Sequence, residues 1–330
     1  MDYERLLAEI DDRVQKAVTN STYAMSPPTR SIYAPENLDP KIKVVVPVTA
    51  PVRNLLPRTN GFGQVATWRK LTSRLDPAAG GTGTAMGFAD AGQPNQTTQT
   101  YVLATAPYKN LGRDVEIGRQ ALASNRGGNL EEMREDQEMV KSVEVLLGED
   151  NMLMNGSVAN NSLEFDGFNV WFTTNSGTLA SLGYETASGI ATYARGVYNA
   201  GAENPSHFVA NPRQGQALAD SLQGTGSIQR IVVDEQGNAT GGVRMDKIVN
   251  PVTGTLIQFV PSRYAGNWGY LLTVKDVTGQ NWLEVEDLDP LSVYDVPTAN
   301  HSLISRVYET TVLKVIAENF QYKIGNYATT

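Results

Sequence analysis

Twenty-five consecutive residues, 76–100 (DPAAGGTGTAMGFADAGQPNQTTQT), hold five Gly and five Thr but only two large apolar side chains, Met86 and Phe88. A run of this composition cannot bury enough apolar surface to offset the entropy of ordering itself. It lies between two segments, 64–75 (QVATWRKLTSRL) and 96–109 (QTTQTYVLATAPYK), whose Thr, Val, Tyr and Trp in partial alternation mark strands. Together they predict a two-stranded ribbon with a polar tip. Such a ribbon is marginal alone in water, and a loop of this length inside a compact domain is usually functional. Whatever this chain folds into must therefore supply a surface for the ribbon to lean on.

The rest of the sequence is able to build a core. The chain has 330 residues, 41% of them hydrophobic and 8% aromatic, enough for one large domain or two. Its formal charge of −8 repels phosphate and argues against a dedicated nucleic-acid binder. Cysteine is absent, which excludes disulfide staples, thiolate metal sites and a thiol nucleophile. No apolar segment reaches the length of a signal peptide or a membrane span, so a soluble chain made in the cytoplasm is expected.

Tyr3, Leu6, Leu7, Ile10, Val14, Ala17 and Val18 recur at helical spacing and predict an N-terminal amphipathic helix. Seven of the sixteen prolines follow between 27 and 57, which predicts an extended arm with neither helix nor central strand. That arm either folds back on its own domain or lies across neighbours. The strongest helix signal is residues 129–155: Asn129 is placed to cap it, Glu132 completes a capping box, and Met133, Val140, Leu147 and Met154 recur every seven residues, with Val143 between them. Asn155-Gly156 marks its stop, and Gly148 costs the helix about 1 kcal/mol relative to Ala. Two shorter helices are predicted over 187–199 and, after the strand-like SHFVA, from Pro212 behind an Asn211 cap. The closing RVYETTVLKVIA reads as a long strand, its apolar contact extended by Phe320, Tyr322 and Ile324.

Motifs that would carry chemistry are sparse. His207 and His301 have neither metal-ligand spacing nor a nucleophile elbow nearby, and GGTGTAMG lacks the Gly-Lys-Ser/Thr ending of a phosphate loop. No cofactor or metal site is expected. The carboxylates Glu284, Glu286, Asp287 and Asp289 in NWLEVEDLDP read two ways. They form an acid/base or cation site, or else a strand with Glu284 and Glu286 on its outer face running into a turn at Asp289-Pro290. The eight acids between 129 and 150 most simply form a solvated helix face.

The order of arm, ribbon, long helix, α/β region and closing strand resembles the major capsid proteins of tailed bacteriophages, with their Hong Kong 97-type α+β fold. The resemblance rests on GFADAGQPNQTTQTYVLATAPYKNLGRDVEIGRQALAS, a polar tip leading to a strand, a short helix and the long helix. It rests also on HFVANPRQGQALADSL, similar to the strand and helix of that family's axial domain, and on RVYETTVLKVIAENF, similar to its last peripheral-domain strand. It implies an N-terminal helix and arm over 1–62, an extended loop over 63–109, a peripheral domain with a spine helix over 110–157, an axial domain over 158–300 and a closing peripheral strand over 301–330.

In function, the resemblance implies a non-enzymatic structural protein that assembles with itself, as hexamers and pentamers, into an icosahedral shell around double-stranded DNA. The implied companions are a separate scaffolding protein, a portal and a decoration protein, with no membrane and the virion as its location. The extended loop would reach over an adjacent subunit. Residues 53–75 carry Arg53, Arg58, Arg69, Lys70 and Arg74 with no acid, whereas 129–150 carries two bases minus eight acids, or −6. Arg69, Lys70 and Arg74 would then face Glu131, Glu135 and Glu138 of a neighbour, with Met86 and Phe88 as the tip's apolar contacts. No lysine lies between 71 and 108, so a shell without covalent cross-links is expected. The rival readings are an encapsulin-type compartment and, in another class, a β-rich hydrolase or carbohydrate-binding protein using Glu284 to Asp289.

Overall fold

The computed structural model of the chain describes residues 49–73, 90–93, 100–118, 130–200, 205–224, 231–233, 239–241, 247–250, 253–275, 279–297 and 302–327. In chain order they form α1 (Pro51–Leu55), β1 (Arg58–Asn60), β2 (Val65–Ser73), β3 (Thr100–Pro107), β4 (Lys109–Gly118), α2 (Leu130–Asn155), α3 (Phe168–Trp171), β5 (Ser176–Gly183), α4 (Ala187–Asn199), β6 (His207–Ala210) and α5 (Pro212–Gly224). The short strands β7 (Ile231–Val233), β8 (Ala239–Gly241) and β9 (Lys247–Val249) follow, then β10 (Leu256–Pro261), β11 (Gly269–Leu272), β12 (Leu283–Val296), β13 (Ser302–Val315) and β14 (Tyr322–Tyr327). A four-stranded sheet has the order β1-β12-β13-β4, and a six-stranded sheet the order β5-β14-β11-β6-β10-β9. β2 pairs with β3, and β7 with β8, as separate two-stranded ribbons.

The long helix runs from Leu130 to Asn155, as its apolar spacing predicts. The expected stripe accounts for only one of its sides. Val143, Leu147 and Met154 are buried, but so are Val145, Glu149, Asp150 and Leu153. The C-terminal half is thus enclosed nearly all round, with β4 on one flank and β13 and α1 on others, whereas Glu135 and Met139 nearer the start are exposed. Gly156 does end the helix, though for a different reason than a left-handed backbone. A Cβ there, or at Gly167, would collide with the carbonyl oxygens of Met152, Leu153 and Phe165, and only glycines let the two backbones meet through the Gly167 N–H to Gly156 carbonyl bond of 2.9 Å.

β12 and β13, each fourteen residues long, pair from Leu283↔Val315 to Val296↔Ile304. The turn expected at Asp289-Pro290 does not occur. The register shifts at Asp289 instead, and the strand continues. β1 pairs with β12 only as far as Asp287, so Pro290 lies on an edge where its missing N–H leaves no ladder bond unmade. The single closing strand expected over 301–330 is two strands in two sheets. Ala317 and the one-turn helix Glu318–Phe320 turn the chain, so that β13 lies between β12 and β4 in the four-stranded sheet while β14 lies between β5 and β11 in the six-stranded one. The 158–300 segment likewise gives β12 to the four-stranded sheet.

Two apolar clusters lie on opposite faces of the six-stranded sheet, with Val209, Tyr270 and Leu272 turned to the first and Phe208 and Leu271 to the second. One gathers Val145, Leu153 and Met154 of α2, Phe168 and Phe172, Val285, Val307 and Leu313, together with Ala66 and Trp68 of the ribbon. The other joins Ile190, Ala194 and Val197 of α4 and Leu218 of α5 to Phe208, Ile257, Leu271 and Ile324 of the six-stranded sheet. α5 begins as predicted, with Pro212 in its first turn and the Arg213 N–H donating to Asn211 Oδ1 at 3.0 Å.

The proline-rich arm departs from expectation at its end, where α1 is helical. Pro51 occupies the first turn, the one helical position where proline loses no hydrogen bond. The predicted N-terminal helix, the Asn129 cap, the short helix before α2 and His301 all lie outside the described residues.

Gly148 sits where an added Cβ meets nothing within 4 Å, whereas Gly167 is hemmed in by backbone. Gly148→Ala should stabilise the chain by about 1 kcal/mol through helix propensity. Gly167→Ala should lower the melting temperature by several degrees. Thermal melts of both single variants check this, and equal shifts of the same sign would refute the packing account of α2's end.

Candidate assembly surface

Two anchors position the parts of the chain that have no core of their own, and the first holds the end of the arm. Ala50, the residue before α1, provides no side-chain cap. Asp150 of α2 takes that role from across the fold, its Oδ1 accepting the N–H groups of Val52 and Arg53 at 2.9 Å each. The neighbouring Glu149, fully buried, binds the guanidinium groups of both Arg53 and Arg58. Arg58 Nη1 also donates to both carboxylate oxygens of Asp287, at 2.8 and 2.7 Å, and Arg53 Nη2 lies 3.5 Å from Glu309. Four acids thus surround two arginines. Asp150 Oδ2 and Glu309 Oε1 are buried without a hydrogen-bond partner among the described residues. Burial first, and then the charge of Glu149, push the Glu309 carboxyl up to about 8 despite both arginines.

The second anchor holds the base of the ribbon. β2 and β3 pair from Val65↔Pro107 to Ser73↔Thr100, and one face turns Ala66, Trp68, Ala104 and Ala106 onto the core. The Trp68 indole N–H donates to the Val315 carbonyl at 2.9 Å. Lys70 ion-pairs with Glu318, its Nζ lying 5.4 Å from the centre of the Trp171 ring. Glu318 Oε1 accepts from the amides and hydroxyls of Thr173 and Thr174 at 2.7–3.0 Å. Burial alone would raise this carboxyl, but Lys70 and the threonine donors outweigh it and hold it at about 2.

Opposite Arg69 to Leu71, the second strand of the ribbon shows apolar side chains to solvent. Tyr101, Val102 and Leu103 are consecutive, so they occupy both faces, and they are 52%, 50% and 66% exposed. A strand pair that shows apolar side chains on both faces calls for a covering surface.

The residues expected to dock between subunits divide into three groups. Arg69 and Glu135 are exposed. Lys70 and Glu138 are engaged within the chain, Lys70 with Glu318 and Glu138 with Arg134 Nε at 2.6 Å, because each lies within reach of an oppositely charged neighbour on its own packed surface. Arg74, Met86, Phe88 and the side chain of Glu131 lie outside the described residues.

The acidic group on β12 is not the solvated outer face expected for Glu284 and Glu286. The register sets Glu284 opposite Lys314, whose Nζ lies 3.0 Å from Glu284 and 2.5 Å from Glu286. Glu286 also accepts from the Tyr108 hydroxyl, and Asp287 is held by Arg58. These carboxylates are tied into ion pairs that stitch the sheet. Among the described residues, no three acids or histidines are grouped to hold a metal.

Sequence reasoning missed Glu149, Asp150 and Glu309, although a signal was present. Asp150 falls on the apolar stripe between Leu147 and Met154, and Glu309 alternates with Val307 and Leu313 on the buried face of β13. The helix face read as solvated therefore includes two of the most buried charges in the chain.

The sequence matches no protein-family model and no curated protein. Solved structures do share the architecture. The holo-SrpI encapsulin complex from Synechococcus elongatus PCC 7942 is 14% identical with a TM-score of 0.56, covering 95% of this chain and 96% of its own. The capsid of an empty GTA particle is 14% identical, TM-score 0.56, covering 92% and 99%. The capsid of cyanophage P-SCSP1u is 10% identical, TM-score 0.54, covering 91% and 94%. The chain has the Hong Kong 97-type fold.

Because Lys70 serves its own subunit, its reversal and that of Arg69 should separate. Lys70→Glu sets two carboxylates together in a mostly buried site and should destabilise the subunit by about 3–5 kcal/mol. Arg69→Glu should leave the melt unchanged within about 0.5 kcal/mol. Denaturant unfolding of the two variants checks this, and equal stability of both would refute the anchor.

Proposed function

We propose that the chain is a major capsid protein of a tailed bacteriophage, which assembles with itself as hexamers and pentamers into an icosahedral shell enclosing double-stranded DNA. The observation that carries this reading is the ribbon, anchored to its own body through Trp68 and Lys70 on one strand yet presenting Tyr101, Val102 and Leu103 of the other, opposite Arg69 to Leu71, to solvent on both faces. A second copy of the chain would supply the missing cover. The fold shared over more than nine-tenths of the chain with phage and GTA capsids supports it. The acidic balance of the chain fits a container that does not grip its DNA.

The protein is then structural rather than catalytic, and its place is the virion. Scaffolding, portal and decoration proteins would be its partners. No helix among the described residues is long and apolar enough to cross a membrane. The four-stranded sheet and α2 would form the peripheral domain, and the six-stranded sheet with α4 and α5 the axial domain. Of the opposite charges first read as a docking pair, Arg69 with Arg74 and Glu131 with Glu135 remain for contact with a neighbour, together with Met86 and Phe88 at the ribbon tip.

The likeness to the Synechococcus encapsulin favours one further reading, a compartment with the same shell and a protein cargo. The absorbance ratio at 260 and 280 nm of purified particles separates the two. The expressed protein should form closed particles in negative-stain images. Replacing residues 76–99 with a short turn should abolish them while leaving the melting temperature of the subunit unchanged, since so little apolar surface is removed. A wild-type chain that stays monomeric at high concentration overturns the shell reading. A melt that collapses with the deletion places the tip in the subunit's own core.

A further inference from the structure

The charged cluster that seats α1 and β1 is built with more acid than base. Every element meeting there contributes: Arg53 from α1, Arg58 from β1, Glu149 and Asp150 from α2, Asp287 from β12 and Glu309 from β13. Fully ionised, it would carry four negative charges against two positive ones. Glu149 and Asp150 are 0% exposed and Glu309 is 1% exposed, so water does little to screen the excess. The geometry also shows where the excess is least compensated. Glu149 holds two arginines, Asp287 holds one, and Asp150 accepts two backbone amides. Glu309 has only the 3.5 Å contact of one oxygen with Arg53, and its other oxygen is buried without a partner among the described residues. A buried carboxyl so placed is most stable with a proton on that oxygen.

We propose that Glu309 is the proton-bearing bolt of a latch that seats the end of the N-terminal arm on the subunit body, and that loss of its proton releases α1 and β1. An ionised Glu309 repels Glu149 and Asp287 and competes with Glu149 for Arg53. The way to relieve that strain is to move α1 and β1, which carry both arginines and are joined to the body by one short parallel pairing, the two amides on Asp150 and the buried side chains of Val52 and Leu56. α2, β12 and β13 are fixed by the core and by the long β12–β13 ladder. The latch therefore opens at its arm side. The inference concerns the subunit itself and stands whichever kind of shell the chain builds.

The test is hydrogen exchange of the Val52 and Arg53 amides in the full chain from pH 6 to pH 9, with rates corrected by those of an unstructured peptide of the same sequence. If Glu309 ionises normally once α1 is released, the opening equilibrium should rise by about a hundredfold across that range, and a rise below about tenfold overturns the latch. Amides of Val312 and Leu313 in the β12–β13 ladder should keep their protection, and parallel loss there would mean global unfolding and overturn it equally. Glu309→Gln, which keeps the shape without the charge, should give a flat profile that stays protected at pH 9. Glu309→Met serves the same purpose should the amide prove disruptive. Variant profiles that rise as steeply as wild type would show that another group carries the proton and would overturn the assignment, while the wild-type profile alone decides the matter if neither variant folds.

Discussion

Glu149 holds two arginines at once, and the position of α1 and β1 depends on that. α1 is five residues long and β1 three, neither able to persist alone. They are kept by three charges meeting below the surface, by the Asp150 carboxylate that replaces a missing helix cap, by the burial of Val52 and Leu56 and by the pairing of β1 with β12. Such a cluster gains less from Coulomb attraction than its proximity suggests, because each charge gives up its hydration. What it provides is geometry: two guanidinium groups reach one carboxylate in few ways, and each fixes the direction in which the chain arrives. The body is built to receive the arm along one path.

The ribbon shows the same division between an anchored base and an uncovered remainder. Trp68 and Lys70 fix its origin on β13 and Glu318, residues more than two hundred positions away, so the body must be nearly complete before the ribbon can be set. Its second strand, level with that anchor, presents Tyr101, Val102 and Leu103 to solvent. A rigid base makes that uncovered surface effective, since a ribbon already aimed loses less conformational entropy when a neighbour covers it.

Much of the fold was legible because it follows local periodicity. The heptad spacing of Met133 to Met154 gave α2, the Asn211-Pro212 pair gave the start of α5, and alternation gave the ribbon and β13. What was not legible depended on partners distant in sequence. Pro51 looked like a helix breaker until Asp150, 98 residues from Val52, accepted its first amides. Pro290 looked like a turn because nothing local reveals that β1 stops pairing at Asp287. Lys70 was read as a surface charge for the same reason, its partner Glu318 being set by packing that no window of sequence contains, whereas the partner of Glu138, Arg134, stands four residues away on the same helix face. Glu309 and Asp150 are the exceptions, acids placed in register with apolar neighbours, where a pattern reading had the signal and gave it too little weight.

The two anchors fail at opposite ends of the pH scale, and this constrains when the arm and ribbon are both in place. Glu318 is held at about 2, below its ordinary value of 4.5, so it stabilises the fold above the ordinary value and loses that contribution as pH falls towards 2. Glu309 is raised to about 8, so between 4.5 and 8 the folded chain binds a proton that the unfolded chain has released, and stability declines as pH rises through that interval. Strong acid removes the charge that holds the ribbon base, whereas alkali removes the proton on Glu309 that favours the seated arm. Because Lys70 and Glu318 lie on different elements from Arg53, Arg58 and Glu309, neither loss requires the other. The base of the ribbon and the seat of α1 therefore answer to different ranges of pH.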